Sequence, residues 1–282
     1  MTATKSNNPP VQHESFEICI GDTTVTVAVS HRDGPLAPIL FLHGFGGSKE
    51  DYLDIAINPL FRDRAFVAFD APGCGRTTIS KYSEISIPFL VKTTRAVLER
   101  LNIQRFHLVG HSMGGLAGLE LAAESPESVL SFVNIKGNLA PEDCFLSRQI
   151  FTSADADSDK FLKNFVTRNY NSPYFSAPLY ASTVEYKVRA AAVRGIFESM
   201  VHLSDNEDLL SKFLSLPCPR MFMFGEQYNT LSYLPTLKAN HVQLAEIAHC
   251  GHFPMYSDPI LMWKYIAGVV SSGDAQSSKQ LS

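Results

Sequence analysis

Ser112 lies in Val109-Gly110-His111-Ser112-Met113-Gly114-Gly115, between a β-rich run (Arg105 to Val109) and an alanine- and leucine-rich helical run (Leu116 to Glu124). Gly-x-Ser-x-Gly between a strand and a helix predicts a sharp, strained turn that lifts the serine hydroxyl above a sheet. Glycines at 110 and 114 suit a turn too tight for side chains. A serine hydroxyl is a weak nucleophile at neutral pH and needs a base within hydrogen-bond reach. Of the nine histidines, His252 is the best candidate, in a glycine-led loop after the last expected strand. His249 is the nearest competitor, whereas His13, His31, His202 and His241 read as structural. The oxyanion of acyl transfer needs backbone donors aimed at the developing charge. Met113, after the nucleophile, is expected to supply one N–H and Phe45, in His43-Gly44-Phe45-Gly46-Gly47, the other. Gly44, His111 and Tyr228 are expected to line the substrate, with His111 also packing beside the turn.

Those groups need a scaffold, and the chain is large enough to build one. It has 282 residues, 45% of them apolar and only 18% charged, enough for a large core. A net charge of −4 gives no electrostatic case for nucleic acid or an anionic membrane. Five scattered cysteines without a Cys-x-x-Cys pair read as free thiols in a reducing compartment. No apolar run is long enough to span a membrane, and the first residues hold no apolar signal core. The expectation is a soluble cytoplasmic protein, with a homodimer left open.

Strand and helix patterns alternate. Residues 16–20 and 23–30 read as a hairpin turned at Gly21-Asp22. The runs 38–42, 64–69, 105–109, 129–135, 220–224 and 242–247 read as strands, the most apolar of them buried on both faces. Helical spacing occupies 49–57 (Ser48 as N-cap), 87–101, 116–124, 232–239 and 259–270. This predicts an α/β fold: a mostly parallel eight-stranded sheet with helices on both faces. Residues 139–216 break the rhythm. They are helical in pattern, rich in aromatics, and carry turn signals at Asn171-Ser-Pro173 and Ala177-Pro178. They are expected to form a helical cap inserted into a core of 16–138 and 217–270. Residues 1–15 and 271–282, polar in composition, are expected to be disordered.

The chain resembles the α/β-hydrolase superfamily over roughly residues 16–270. The landmarks occur in order: His43-Gly44-Phe45-Gly46-Gly47, Asp70-Ala-Pro-Gly-Cys-Gly75, Gly110-His-Ser112-Met-Gly114, and Gly251-His252-Phe-Pro-Met. The resemblance implies Ser112 as nucleophile and His252 as base, and it asks for a carboxylate to orient the histidine. Most members place that acid after the strand at 220–224, where this chain reads Gly225-Glu226-Gln227-Tyr228-Asn229 with Tyr228 at the expected position. Others place it after the strand that follows the nucleophile helix, where this chain has Lys136. A protonated lysine cannot accept the imidazole N–H, and its charge disfavours imidazolium. Three accounts follow. Lys136 is a replacement, natural or engineered, that cripples the triad. Alternatively Glu226, Glu142 or Asp143 reaches His252. Or the site is a Ser–His dyad with Tyr228, Asn229 or water on the ring. The first is preferred, because Lys136 sits at the topologically right place.

Serine at 112 points to esters, lactones, thioesters, amides or cleavable C–C bonds, and the aromatic cap to an apolar or aromatic small molecule. The expected function is a serine hydrolase, esterase- or lactonase-like, impaired at its acid position. The alternative is a non-hydrolytic relative: a lyase, a cofactor-free oxygenase or a ligand receptor. No metal or nucleotide motif is present, so no cofactor is expected.

Overall fold

The computed structural model describes residues 9–151 and 158–280. Nine strands among these residues form one sheet: β1 (Gln12–Ile20), β2 (Thr23–Arg32), β3 (Leu36–Leu42), β4 (Arg64–Phe69), β5 (Thr78–Ile79), β6 (Phe106–His111), β7 (Val129–Ile135), β8 (Arg220–Gly225) and β9 (Gln243–Ile247). The order is β1-β2-β4-β3-β6-β7-β8-β9, with the two-residue β5 paired to β2. The expected count of eight omitted β5, which is too short to show a period. Along the path β4-β3-β6-β7-β8-β9 all pairing is parallel, whereas β2 pairs antiparallel with β1, β4 and β5. Every residue of β6 and β7 is buried, as strands covered on both faces require.

The chain steps from β3 outward to β4, then returns to lay β6 on the other side of β3. Connections leave the sheet in opposite directions there, which opens a crevice beyond the carboxyl ends of β3 and β6. The Gly44–Gly47 loop and Ser112 follow those two strands.

Helices α1 (Ile87–Arg100) and α2 (Met113–Glu124) cross over between strands. α1 starts where the Phe89 N–H donates to the Ser86 hydroxyl, and it buries Leu90, Val91, Thr94, Val97 and Leu98 as its spacing predicts. Between β7 and β8 the described residues form α3 (Ser158–Tyr170), α4 (Ser176–Lys187), α5 (Ala190–Asn206) and α6 (Leu209–Ser215). α7 (Leu234–Ala239), the single turn α8 (Pro254–Ser257) and α9 (Pro259–Gln280) complete the chain. No helix among the described residues is long and apolar enough to cross a membrane.

Four expectations need correction. Residues 12–15 are not disordered: they extend β1, opposite Ala28 to His31, and Glu14 pairs with His31 at 2.9 Å. The tail continues as α9 to Gln280, because Asp274 bonds Arg64 at 2.5 Å and His107 at 3.1 Å beneath the sheet. Residues 1–8 and 281–282, covered by the same expectation, lie outside the described residues. Ala177-Pro178 is not a turn but the first turn of α4, where proline is tolerated because its missing N–H has no helical partner. Residues 49–56 form a 3-10 helix rather than an α-helix, tied at its start by Lys49, whose N–H and Nζ both bond Asp70 at 2.9 Å.

Candidate active site

Ser112 has φ 52° and ψ −116°, a strained conformation for a residue with a side chain. The turn is held because the Ser112 N–H donates to the Ile135 carbonyl at 2.9 Å. A Cβ on Gly114 would lie 2.2 Å from the Leu42 carbonyl oxygen, so only glycine lets the helix start this close to β3. The β3 loop lies directly against the serine: a Cβ on Gly44 would come within 3.2 Å of the Ser112 Cβ.

The Gly44 carbonyl accepts from the Gly47 N–H (2.9 Å) and from His43 Nδ1 (2.8 Å). His43 Nε2 faces the Ala71 N–H at 2.9 Å. An amide can only donate, so Nε2 is the acceptor and Nδ1 carries the proton. In a trans peptide the N–H points opposite to the C=O, so fixing the Gly44 carbonyl also fixes the Phe45 N–H.

His252 is positioned from two sides. His111 Nε2 donates to its carbonyl at 2.8 Å, linking the residue beside Ser112 to the histidine loop. Its ring Nδ1 lies 3.1 Å from the Tyr228 hydroxyl. No carboxylate occupies that place. Burial, then the neighbouring His111 and Lys136, hold the His252 ring well below its ordinary pKa. Burial likewise lowers His111 to about 4.

The acid candidates are engaged elsewhere. Asp143 has a fully buried side chain and bonds Lys136 Nζ at 2.5 Å, the Tyr233 hydroxyl at 3.0 Å and two backbone N–H groups. Lys136, with φ 48°, places its ammonium 4.7 Å from the Tyr228 ring centroid. Glu226 accepts from the His249 N–H at 2.7 Å, and Glu142 from the Ser232 N–H and hydroxyl. Asn229 is exposed. Lys136, Tyr228, His111 and His252 therefore form one cluster, whereas Glu226 and Glu142 lie outside it. Met113 is buried at the start of α2. His111 Nε2 and the Tyr228 hydroxyl, of two residues expected to line the substrate, both bond His252.

One participant was not singled out from the sequence. Tyr180 of α4 donates to the Phe45 carbonyl at 2.6 Å and stacks on Phe253 with centroids 4.0 Å apart. In the sequence it is one aromatic among many, and spacing does not reveal a partner 135 residues away. No group of three or more His, Cys, Asp or Glu among the described residues could hold a metal ion.

The buried histidines make stability depend on pH. Their folded pKa values lie below the unfolded value of 6.5, so the unfolded chain binds the protons first as pH falls. The stability is complete above 6.5 and is lost between about 6.5 and 4. His107 and His111, both at about 4, are each expected to cost on the order of 3 kcal/mol by pH 4. Urea unfolding at pH 7.5, 6, 5 and 4 should show a midpoint that falls steadily below pH 6.5; a flat midpoint to pH 4 contradicts this.

The pattern of the alpha/beta hydrolase fold family matches residues 37–185. A Pseudomonas savastanoi pv. phaseolicola protein provisionally named carbamate hydrolase RutD is 34% identical over 123 residues, 42% of this chain and 46% of that protein. A Homo sapiens monoacylglycerol lipase is 35% identical over 123 residues, 43% of this chain and 34% of that one. The chain thus spans less than half the length of these curated relatives. The structure of an N-acyl homoserine lactonase mutant complexed with N-hexanoyl homoserine superposes with a TM-score of 0.71 at 18% identity, covering 92% of this chain and 96% of that one. With the family pattern covering just over half of its residues, the chain belongs to the α/β hydrolase fold family.

Proposed function

We propose that this chain is a serine hydrolase that cleaves hydrophobic esters or lactones through an acyl-Ser112 intermediate. The observation that carries this is the cluster at the elbow: His252 is tied to the Ser112 turn through His111, and its Nδ1 is held by Tyr228. With Nδ1–H donating to the Tyr228 oxygen, Nε2 is bare and can take the Ser112 proton. Ser112 Oγ then attacks the acyl carbonyl. The N–H groups of Phe45 and Met113 receive the oxyanion, and His252 returns the proton to the leaving alcohol. Water repeats the sequence on the acyl-enzyme. A neutral phenol holds the ring but balances imidazolium less well than a carboxylate, so turnover is slow for such a site.

Residues 139–216 act as a cap. Phe165 and Phe197 pack their rings on Phe45, at 5.5 and 4.6 Å between centroids, which favours an apolar acyl or aromatic group beside the serine. The names of two relatives and one structural neighbour refer to carbamate, monoacylglycerol and N-acyl homoserine lactone, which supports an acyl substrate. All five cysteines are unpaired, four of them buried, which fits the reducing cytoplasm.

A second reading is a ligand receptor on the same fold, favoured by the Lys136–Asp143 pair where a catalytic acid would stand. A fluorophosphonate probe separates the two. Covalent labelling at Ser112, found by peptide mass spectrometry and absent in Ser112→Ala, is the expected result. An unlabelled protein that still binds an apolar ligand tightly overturns the hydrolase reading.

A further inference from the structure

We propose that Tyr180 is a positioning residue: from the inserted helix α4 it pins the Phe45–Gly46 peptide and so seats the loop that carries the Phe45 N–H against the site of the oxyanion. The inference rests on the hydrolase reading for its catalytic consequence, but not for its geometry.

Two consecutive peptide planes are pinned at Phe45. The Gly44 carbonyl is held by Gly47 and His43, and the Phe45 carbonyl by the Tyr180 hydroxyl at 2.6 Å. The first pair of bonds sets the direction of the Phe45 N–H and the Tyr180 bond holds the peptide that follows, so the loop is fastened on both sides of Phe45. Without the second bond, rotation about the Phe45–Gly46 peptide has an easy partner in Gly46, whose φ is already +72°.

The approach of Tyr180 is built into the loop. A Cβ on Gly46 would lie 2.2 Å from the Tyr180 hydroxyl oxygen, so the absent side chain is the space the hydroxyl fills. Tyr180 is only 2% exposed. Its hydroxyl therefore gains nothing from solvent, and burial pushes its pKa well above the ordinary value, so it stays a donor. The other face of the ring stacks on Phe253, next to His252. One side chain from α4 thus spans the oxyanion loop and the loop of the base. The inserted helices do more than cover the crevice: they hold the donor loop in its seat.

The test is Tyr180→Phe, which keeps the ring and its stack and removes one donor. Ester kinetics, inhibition by an alkylboronic acid (a tetrahedral oxyanion mimic), and the Phe45 amide in nitrogen-15 NMR are measured in both proteins. The expected result is a kcat lowered about 10- to 100-fold with KM within about threefold, because the bond acts on the transition state rather than on apolar binding. Boronate affinity should weaken by the same factor, and the Phe45 amide should become exchange-broadened. A variant with kcat and boronate affinity within about twofold of the parent, and an unchanged Phe45 amide, overturns the proposal even if the protein melts earlier. Should the parent show no Ser112-dependent turnover, the hydrolase reading fails separately. The amide then decides alone: broadened only in Tyr180→Phe supports the lock, identical in both proteins refutes it.

Discussion

Ser112→Ala is expected to cut ester turnover by on the order of 10⁴-fold or more, with the fold intact. On the proposed mechanism the loss is large because the Ser112 hydroxyl forms the covalent intermediate. His252, the oxyanion donors and the cap surface act on a bond that would no longer form. Residual activity over water should come from the Phe45 and Met113 donors alone. Stability should barely change, since alanine meets the same positive φ as serine and the Ser112 N–H keeps its bond to Ile135. Melting within about 2 °C of the parent, with apolar ligand binding unchanged, checks that the loss is chemical. More than about one per cent of parental turnover in the purified variant would move the nucleophile elsewhere.

The second large effect runs in the opposite direction. The paired substitution Lys136→Glu with Asp143→Asn is expected to raise kcat about a hundredfold or more, within the ~10⁴-fold that a triad acid contributes. Both changes are needed. Lys136→Glu by itself sets two carboxylates together around a buried site, and breaking that ion pair should cost about 3–5 kcal/mol. With asparagine at 143, an amide donor faces the new carboxylate, and the charge beside the Tyr228 ring and His252 changes sign. His252 should then titrate higher. Its lowered pKa keeps the parent's base neutral through mildly acidic pH, so kcat/KM should stay flat there on its account. The paired variant should show an acid limb moved toward neutrality. No gain in kcat, together with a loss of about a hundredfold or more in Tyr228→Phe, would mean the tyrosine already serves in the acid's place.

Much of this site was legible in the chain because its elements are local. Val109 to Gly115 contains the end of the strand, the strained turn and the first helical residues, so its shape follows from adjacent residues. The buried parallel strands announced themselves as continuous apolar runs, and the alternation with helices implied the sheet. The missing acid was also readable, since Tyr228 and Lys136 stand at the two places where a carboxylate is looked for.

What faces what was decided by tertiary structure. Composition marked residues 271–280 as unstructured, yet Asp274 finds Arg64 across 210 positions of sequence and continues the helix. A partly buried ionic contact of that range leaves no periodic trace. Glu226 and Tyr228 sit two residues apart in one 3-10 turn, and the turn sends the carboxylate to His249 and the phenol to His252. Asp143 lies near enough in sequence to be a candidate acid, but the Lys136 ammonium claims it. Tyr180 reaches Phe45 because α4 packs over a glycine whose missing side chain leaves the space. By itself the sequence determined the fold family, the Ser112 turn and the two positions that carry tyrosine and lysine in place of a carboxylate, since each is written in neighbouring residues or in a repeated period. The partner on the histidine, the occupation of the carboxylates and the lock on the oxyanion loop depend on contacts between segments far apart, and only the packing of those segments chooses among the candidates.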